Sequence, residues 1–145
     1  MTQATNSNIL ALDVGDTRVG VAIASTVARL PRPLTTLQRG DNILKELSDV
    51  IKSESVGEIV VGLPRNLAGQ ATSQTEATEK FVEELKNEIQ IPVHWQDEAV
   101  TSKQAETELK NRGKAYEKGD IDSLAATYIL EDFLNGYNKD GTKDS

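Results

Sequence analysis

The stretch that decides the fold is Ile9–Ala24, which reads ILALDVGDTRVGVAIA. Small and β-branched apolar residues stand on both sides of Gly15–Arg18, where Gly, Asp and Thr are typical of a tight turn. The pattern predicts two antiparallel strands joined as a hairpin. Asp13 interrupts the first strand, where a buried carboxylate is costly unless a partner compensates its charge. Two interpretations stay open: Asp13 is a solvated residue that bonds the turn amides, or it is a ligand of a cation.

Composition limits the classes of protein that this chain can belong to. Its 145 residues suffice for one domain, and only 4% are aromatic, so the core is expected to be aliphatic. The absence of cysteine excludes disulfides and thiolate catalysis, and a single His excludes a His-rich metal site. A polar N-terminus and the lack of a long apolar run predict a soluble, cytoplasmic protein with no signal peptide and no membrane segment.

The charge is unevenly distributed along the chain. The formal net charge of −7 argues against a simple electrostatic binder of nucleic acid. Residues 1–40 nevertheless carry four Arg and two Asp, while the remainder carries 12 basic and 21 acidic residues. A basic edge on an acidic body is compatible with a phosphate-bearing partner, although solvated acidic helices explain most of the imbalance.

After the hairpin, the apolar periodicity predicts alternating strands and helices. The predicted elements are a strand at 34–37, a helix capped by Asp41, a strand at 59–63, a helix with a capping box at Ser73–Glu76, a strand at 91–96, and helices after Thr101 and from Ile121. Pro31 and Pro33 place the third strand at a sheet edge. The order βββαβαβα, with one additional helix near the end, predicts an α/β fold. It consists of a mixed five-stranded sheet with helices on both faces and the first strand near the centre.

Three carboxylates stand at positions where ligand sites form. Asp13 is on the first strand, Glu98 directly follows the last strand, and Asp122 is predicted in the first turn of the final helix. Individually, Glu98 is explained as a solvated loop acid and Asp122 as a favourable residue at a helix N-terminus. Together they predict a shared site for a hard divalent cation such as Mg²⁺. Two such ions about 3.5–4 Å apart can activate a water and stabilise the leaving oxygen of a phosphodiester.

Four segments carry a family resemblance. They are LALDVGDTRVGVA (Leu10–Ala22), IVVGLPRNLAG (Ile59–Gly69), DEAVTS (Asp97–Ser102) and KGDIDSLAATYIL (Lys118–Leu130). In this order and spacing they resemble the YqgF/RuvX family of RNase H-like proteins, known as Holliday-junction resolvases or nucleases of ribosomal RNA precursors. The resemblance implies one RNase H-like nuclease domain over residues 1–136. The polar composition of residues 137–145 predicts a disordered tail.

The resemblance also implies a function and a site. It implies that Asp13, Glu98 and Asp122 are the catalytic acids and bind Mg²⁺ or Mn²⁺ in a metal-dependent endonuclease. The expected role is processing of the 5′ end of pre-16S rRNA, and the alternative is resolution of Holliday junctions by a homodimer. The expected partner is therefore nucleic acid, either an rRNA precursor or branched DNA, with Arg18, Arg65 and Asn66 as candidate contacts.

Two departures from the family pattern keep other functions open. Ala99 stands where the family usually has Arg after the acidic pair, and the loop Asn66–Gly69 lacks the family's usual acid. A non-catalytic nucleic-acid-binding module with a retained fold is therefore an alternative. An actin-like ATPase shares the ββαβ core but requires two such domains, which 145 residues cannot supply. His94 is expected to be structural rather than catalytic, and Trp95 is expected to lie in the core.

Overall fold

The computed structural model describes residues 8–64, 70–98 and 118–135, with the backbone alone for residues 97, 98 and 118–120. Its elements are β1 (Asn8–Val14), β2 (Arg18–Ser25), β3 (Arg32–Gln38), α1 (Ile43–Ser53), β4 (Val56–Pro64), α2 (Ser73–Glu88), β5 (Val93–Glu98) and α3 (Lys118–Asn135). Within these ranges no helix has the length and apolarity needed to cross a membrane. The helix predicted after Thr101 and the tail at 137–145 lie outside the described residues.

The strands form a mixed five-stranded sheet in the order β3-β2-β1-β4-β5. β1 pairs antiparallel with β2, which pairs antiparallel with β3, whereas β1–β4 and β4–β5 are parallel. The predicted hairpin and the central position of β1 are confirmed. Because β1, β4 and β5 run in one direction, their carboxyl ends and the turn after β1 meet at the same edge of the sheet.

Alternate residues of β1 enter two separate cores, as the pleat of a strand requires. Leu10 and Leu12 pack in the cluster that also holds Leu47 of α1 and Leu85 of α2. Ile9 and Ala11 pack on the opposite face in the cluster that includes α3. Helices therefore cover both faces, and the uninterrupted apolar runs of β1 and β4 reflect this double burial.

α3 covers its face alone among the described helices and contacts all five strands. Its approach is close because β1 and β2 present small residues there, including Ala11, Ala22 and Ala24. Gly20 continues the same face of β2 toward the hairpin turn. Large side chains of α3, such as Phe133, fill the space nearer the other end of the helix.

β3 is an edge strand, as its prolines predict, but it is longer than the predicted 34–37 segment. Pro33 lies within it, opposite Ala22, where the β2–β3 register shifts. Proline has no N–H to donate to a ladder, so it is tolerated at an edge and at an irregularity.

Three predicted helix starts are wrong by a few residues. Asp41 does not cap α1, because the N-cap is Asn42 and its side chain makes no cap hydrogen bond. The capping box of α2 is formed by Thr72 and Thr75 rather than by Ser73 and Glu76. Thr75 is additionally held because its hydroxyl donates to the carbonyl of Pro64, which ties the helix start to the end of β4.

The third correction concerns α3. This helix begins at Lys118 and not at Ile121, so Asp122 is its fifth residue and lies beyond the first turn. A polar first turn needs no burial, and apolar periodicity therefore does not detect it. The helix N-terminus consequently does not explain why an acid stands at position 122.

Candidate metal centre

Asp13 lies one residue before the end of β1 and faces the side of the sheet that α3 covers. Its side chain is partly buried, and its cross-strand partner on β2 is Gly20. Directly paired residues of antiparallel strands have α-carbons about 5 Å apart and share one face. Since Gly20 has no side chain, the space opposite Asp13 is available to another element.

α3 occupies that space with Asp122. A β-carbon built on Gly20 would lie 2.0 Å from the carbonyl oxygen of Asp122, so the helix backbone rests directly on β2. Gly20 is thus paired with Asp13 in the sheet and in contact with Asp122 across the layers. Two of the three predicted acids, far apart in the chain, therefore both have their backbones next to Gly20.

The Asp122 carboxylate is engaged by Arg18, the first residue of β2. Arg18 Nε donates to Asp122 Oδ2 at 2.6 Å, and its Nη1 donates to Thr17 Oγ1 at 3.2 Å. Both charged side chains are partly buried, at 29% and 19% exposure. The sequence predicted Arg18 as a nucleic-acid contact, and nothing in it indicated this ion pair between residues 104 positions apart.

Glu98, the third predicted acid, is the last residue of β5. Its backbone pairs with Pro64 of β4, which places it two strands from β1 at the same edge of the sheet. The Glu98 side chain lies outside the described part of the structure, as do Arg65, Asn66 and Ala99. Within the part that is described, no three His, Cys, Asp or Glu side chains are grouped closely enough to hold a metal ion.

Gly62 of β4 carries no side chain beside Asp13. Leu12 of β1 pairs with Val61 of β4, so the next residues, Asp13 and Gly62, lie side by side. On its other side Gly62 pairs with Gln96 of β5. The strand between β1 and β5 therefore carries no side chain at the level of Asp13. The donor set fits a hard divalent ion, because Asp13 and Asp122 supply carboxylate oxygens from two elements that Gly20 holds together.

Hydrogen bonds from α2 and from the segment after β3 hold the end of β1 and its turn. Gln74 Nε2 donates to the carbonyl of Val14 at 3.2 Å, and Arg39 Nη1 donates to the carbonyl of Gly15 at 3.0 Å. The backbone amide of Arg39 also donates to the Thr17 carbonyl at 2.9 Å. Nothing in the sequence pattern marks Gln74 or Arg39, because their hydrogen-bond partners come near only in the folded chain.

His94 is the second residue of β5, far from the carboxyl end of the strand where Glu98 stands. Its Nε2 is 2.9 Å from Glu58 Oε1, and its ring centroid is 5.3 Å from that of Phe133. These contacts support the expected structural role. Trp95 points to the opposite face, where it packs, partly buried, against the core under α1 and α2.

Comparison with known proteins identifies the family. A family model described as "RuvX: Holliday junction resolvase" matches residues 7–136. A protein of Chloroflexus aurantiacus named "Putative pre-16S rRNA nuclease" is 38% identical over 131 residues, which cover 88% of this chain and 86% of that protein. A protein of the same name from Caldanaerobacter subterraneus subsp. tengcongensis is 40% identical over 134 residues, with 88% and 95% covered.

The fold is similar to that of a solved structure. Thermus thermophilus RuvC in complex with Holliday junction substrate superposes with a TM-score of 0.51 and 16% identity. The superposition covers 84% of this chain and 91% of that one. At this identity the likeness establishes the RNase H-like architecture alone. From the family match and the two relatives, the chain belongs to the RuvX family.

Proposed function

We propose that this protein is a divalent-metal-dependent endonuclease that hydrolyses phosphodiester bonds in the 5′ processing of pre-16S rRNA. The observation that carries the proposal is the convergence of Asp13 and Asp122 at Gly20 in a chain of the RuvX family. Relatives that share more than a third of its residues are named as nucleases of pre-16S rRNA. This role in ribosome biogenesis would place the protein in the cytoplasm.

In this proposal Asp13, Glu98 and Asp122 hold Mg²⁺ or Mn²⁺ at the carboxyl edge of the sheet. The bound ions would supply an activated water and stabilise the leaving oxygen of the phosphodiester. Asp13 lies on the central strand, and its carboxylate would be one of the ligands. Gly62 adds no side chain of its own beside Asp13, which would favour approach of the substrate backbone.

Contacts to the nucleic acid are assigned to residues around this edge. Arg18 is partly exposed at the hairpin end of β2 and has guanidinium donors beyond those bonded to Asp122 and Thr17. Arg65 and Asn66 follow β4 directly in the chain and stay predictions. Backbone contacts of this kind position a substrate without selecting its base sequence.

A second candidate function is resolution of Holliday junctions. It is favoured by the description of the matching family model and by the RuvC-like fold. Symmetric cutting of a four-way junction requires two active sites related by a two-fold axis, so this activity would require a homodimer. Sedimentation of the protein with and without a four-way junction tests that requirement directly.

The proposed activity is tested by cleavage of two labelled substrates, a pre-16S 5′ leader RNA and a four-way DNA junction. Reactions contain Mg²⁺, Mn²⁺ or EDTA and the wild type or Asp13→Asn, Glu98→Gln or Asp122→Asn. Mutation of a residue that only hydrogen-bonds to a metal ligand typically lowers metal affinity or activity about 10- to 100-fold. Loss of a direct ligand is therefore expected to lower the cleavage rate at least about 100-fold. Asp16→Asn is the matched control, because Asp16 is an exposed acid in the adjoining turn.

Each outcome of this experiment has a distinct meaning. Metal-dependent cutting that disappears in the three variants and persists in Asp16→Asn supports the site, and the substrate that is cut decides between the two functions. Cutting that survives in Asp13→Asn contradicts the assignment. Binding of either substrate without cutting would favour the non-catalytic module, which the substitution of Ala99 for the family's Arg left open.

A further inference from the structure

Arg18 and Asp122 form an ion pair at the place where the metal is proposed to bind. The bond joins Arg18 Nε to Asp122 Oδ2 at 2.6 Å, within the range of a charge-assisted hydrogen bond. Arg18 and Gly20 are two residues apart on the same face of β2, below α3. The position of Arg18 next to Asp122 therefore follows from the alternation of side chains along β2 and from the contact between Gly20 and α3.

The ion pair has an electrostatic role in the metal-free protein. Asp13 pairs with Gly20 in the sheet, and the backbone of Asp122 touches Gly20 from α3, so both acids border the same residue. Carboxylates that lie near each other in a partly buried site repel unless a cation is near. Arg18 supplies that positive charge from within the chain.

A divalent ion on Asp122 would stand within a few ångströms of the guanidinium. Like charges at such separation repel strongly where water is partly excluded. The guanidinium and the metal therefore compete for the same carboxylate, and a guanidinium that leaves Asp122 needs another anion. Arg18 is partly exposed at the hairpin end of the sheet, the edge at which a phosphodiester would meet Asp13.

We propose that Arg18 exchanges partners during loading of the site: it bonds to Asp122 in the metal-free protein and to a substrate phosphate once a divalent ion occupies Asp122. The inference rests on the proposed metal-dependent function. It adds that binding of the metal and of the nucleic acid is coupled through one side chain. By thermodynamic linkage, nucleic acid then raises metal affinity by the same factor by which metal raises nucleic-acid affinity.

The test measures Mn²⁺ binding to the full chain without nucleic acid by titration calorimetry. In Arg18→Met the competing charge is absent, so Mn²⁺ should bind at least about fivefold more tightly than in the wild type. Arg18→Lys keeps the charge and should bind Mn²⁺ much as the wild type does. Arg32→Met is the matched control, because Arg32 is exposed and pairs with Ile23 at the far end of β2, whereas Arg18 pairs with Gln38.

A second measurement separates the exchange from other functions of Arg18. In the Asp122→Asn background, Arg18→Met should leave the residual Mn²⁺ affinity unchanged, because the competition operates through the Asp122 carboxylate. In steady-state cleavage, Arg18→Met should raise KM for the nucleic acid more than it lowers kcat. Thermal unfolding of each metal-free variant verifies that the fold is kept, and Arg18→Lys preserves a cation if Arg18→Met is unstable.

Three results would overturn the inference, and they differ in what else they contradict. Unchanged Mn²⁺ affinity in Arg18→Met would make Arg18 a phosphate contact only, and weaker affinity would make it a residue that orients Asp122 for the metal. Either result leaves the proposed nuclease function intact. Failure of the wild type itself to bind Mn²⁺ would overturn both the exchange and the metal-dependent function.

Discussion

The backbones of Gly20 and Asp122 are in direct contact across the sheet–helix interface. A β-carbon at position 20 would lie 2.3 Å from the carbonyl carbon of Asp122 and 2.9 Å from the amide nitrogen of Ser123. Both distances are far below van der Waals contact, and the clashing atoms are backbone, which cannot rotate away. Glycine at position 20 is therefore what allows α3 to bring Asp122 to Asp13.

Gly20→Ala should lower both stability and metal affinity. The added methyl group must push the start of α3 off β2, and overpacking of this kind costs about 1–3 kcal/mol in the free energy of unfolding. Urea denaturation measures the stability, and calorimetric Mn²⁺ titration measures the site. Gly40→Ala is the control, since a β-carbon there meets no heavy atom within 4 Å. Equal urea midpoints for the two variants would contradict the tight contact.

Thr72→Ala should destabilise the protein by about 1 kcal/mol, the typical cost of losing an N-cap side chain. The Thr72 hydroxyl accepts from the Thr75 amide, so its removal leaves a helix N–H without its partner. Ser73→Ala should change the free energy of unfolding much less, because the cap is Thr72. A larger loss of stability for Ser73→Ala than for Thr72→Ala in chemical denaturation would contradict the Thr72 cap and favour the predicted capping box at Ser73–Glu76.

Thr78→Val should stabilise the protein. Thr78 of α2 is fully buried, and its hydroxyl has no hydrogen-bond partner among the described residues. Replacing the hydroxyl with a methyl group of similar size removes an unpaired polar group, which costs about 1–3 kcal/mol when buried.

The same substitution at Thr75 is the matched comparison. Thr75 is buried three residues earlier, but its hydroxyl donates to the Pro64 carbonyl, so Thr75→Val should destabilise. The two variants are expected to shift the thermal midpoint in opposite directions. Shifts of the same sign would show that the hydrogen bonding of the hydroxyl does not decide how Thr→Val changes stability at these two positions.

His94→Phe should retain metal-dependent cleavage at close to the wild-type rate. An aromatic ring at position 94 keeps the contact with Phe133, and only the bond to Glu58 is lost. Because both partners of that bond are partly exposed, the stability change should stay below about 1 kcal/mol. Loss of cleavage on the scale of Asp13→Asn, in a variant that still folds, would assign His94 a catalytic role.

Local patterns were sufficient for most of the architecture. The hairpin and the edge position of β3 follow from apolar runs, turn residues and proline placement, all of which act between near neighbours in the chain. Helix starts were less predictable. Several adjacent residues can each cap a helix, and at α2 the choice depended on Thr75 reaching the Pro64 carbonyl.

The sequence by itself predicted the order of strands and helices, the resemblance to the RuvX family, and a site formed by the acids at positions 13, 98 and 122. Tertiary structure alone decided how Asp13 and Asp122 meet and what holds them. In the sequence, Gly20 is an ordinary small residue of a strand and Arg18 an ordinary cation after a turn. Their roles follow from contacts with α3, whose backbone touches Gly20 and whose Asp122, 104 residues from Arg18, accepts the Arg18 hydrogen bond. The physical reason is that a periodic pattern reports which face a residue occupies, whereas a contact between layers depends on how closely two backbones approach.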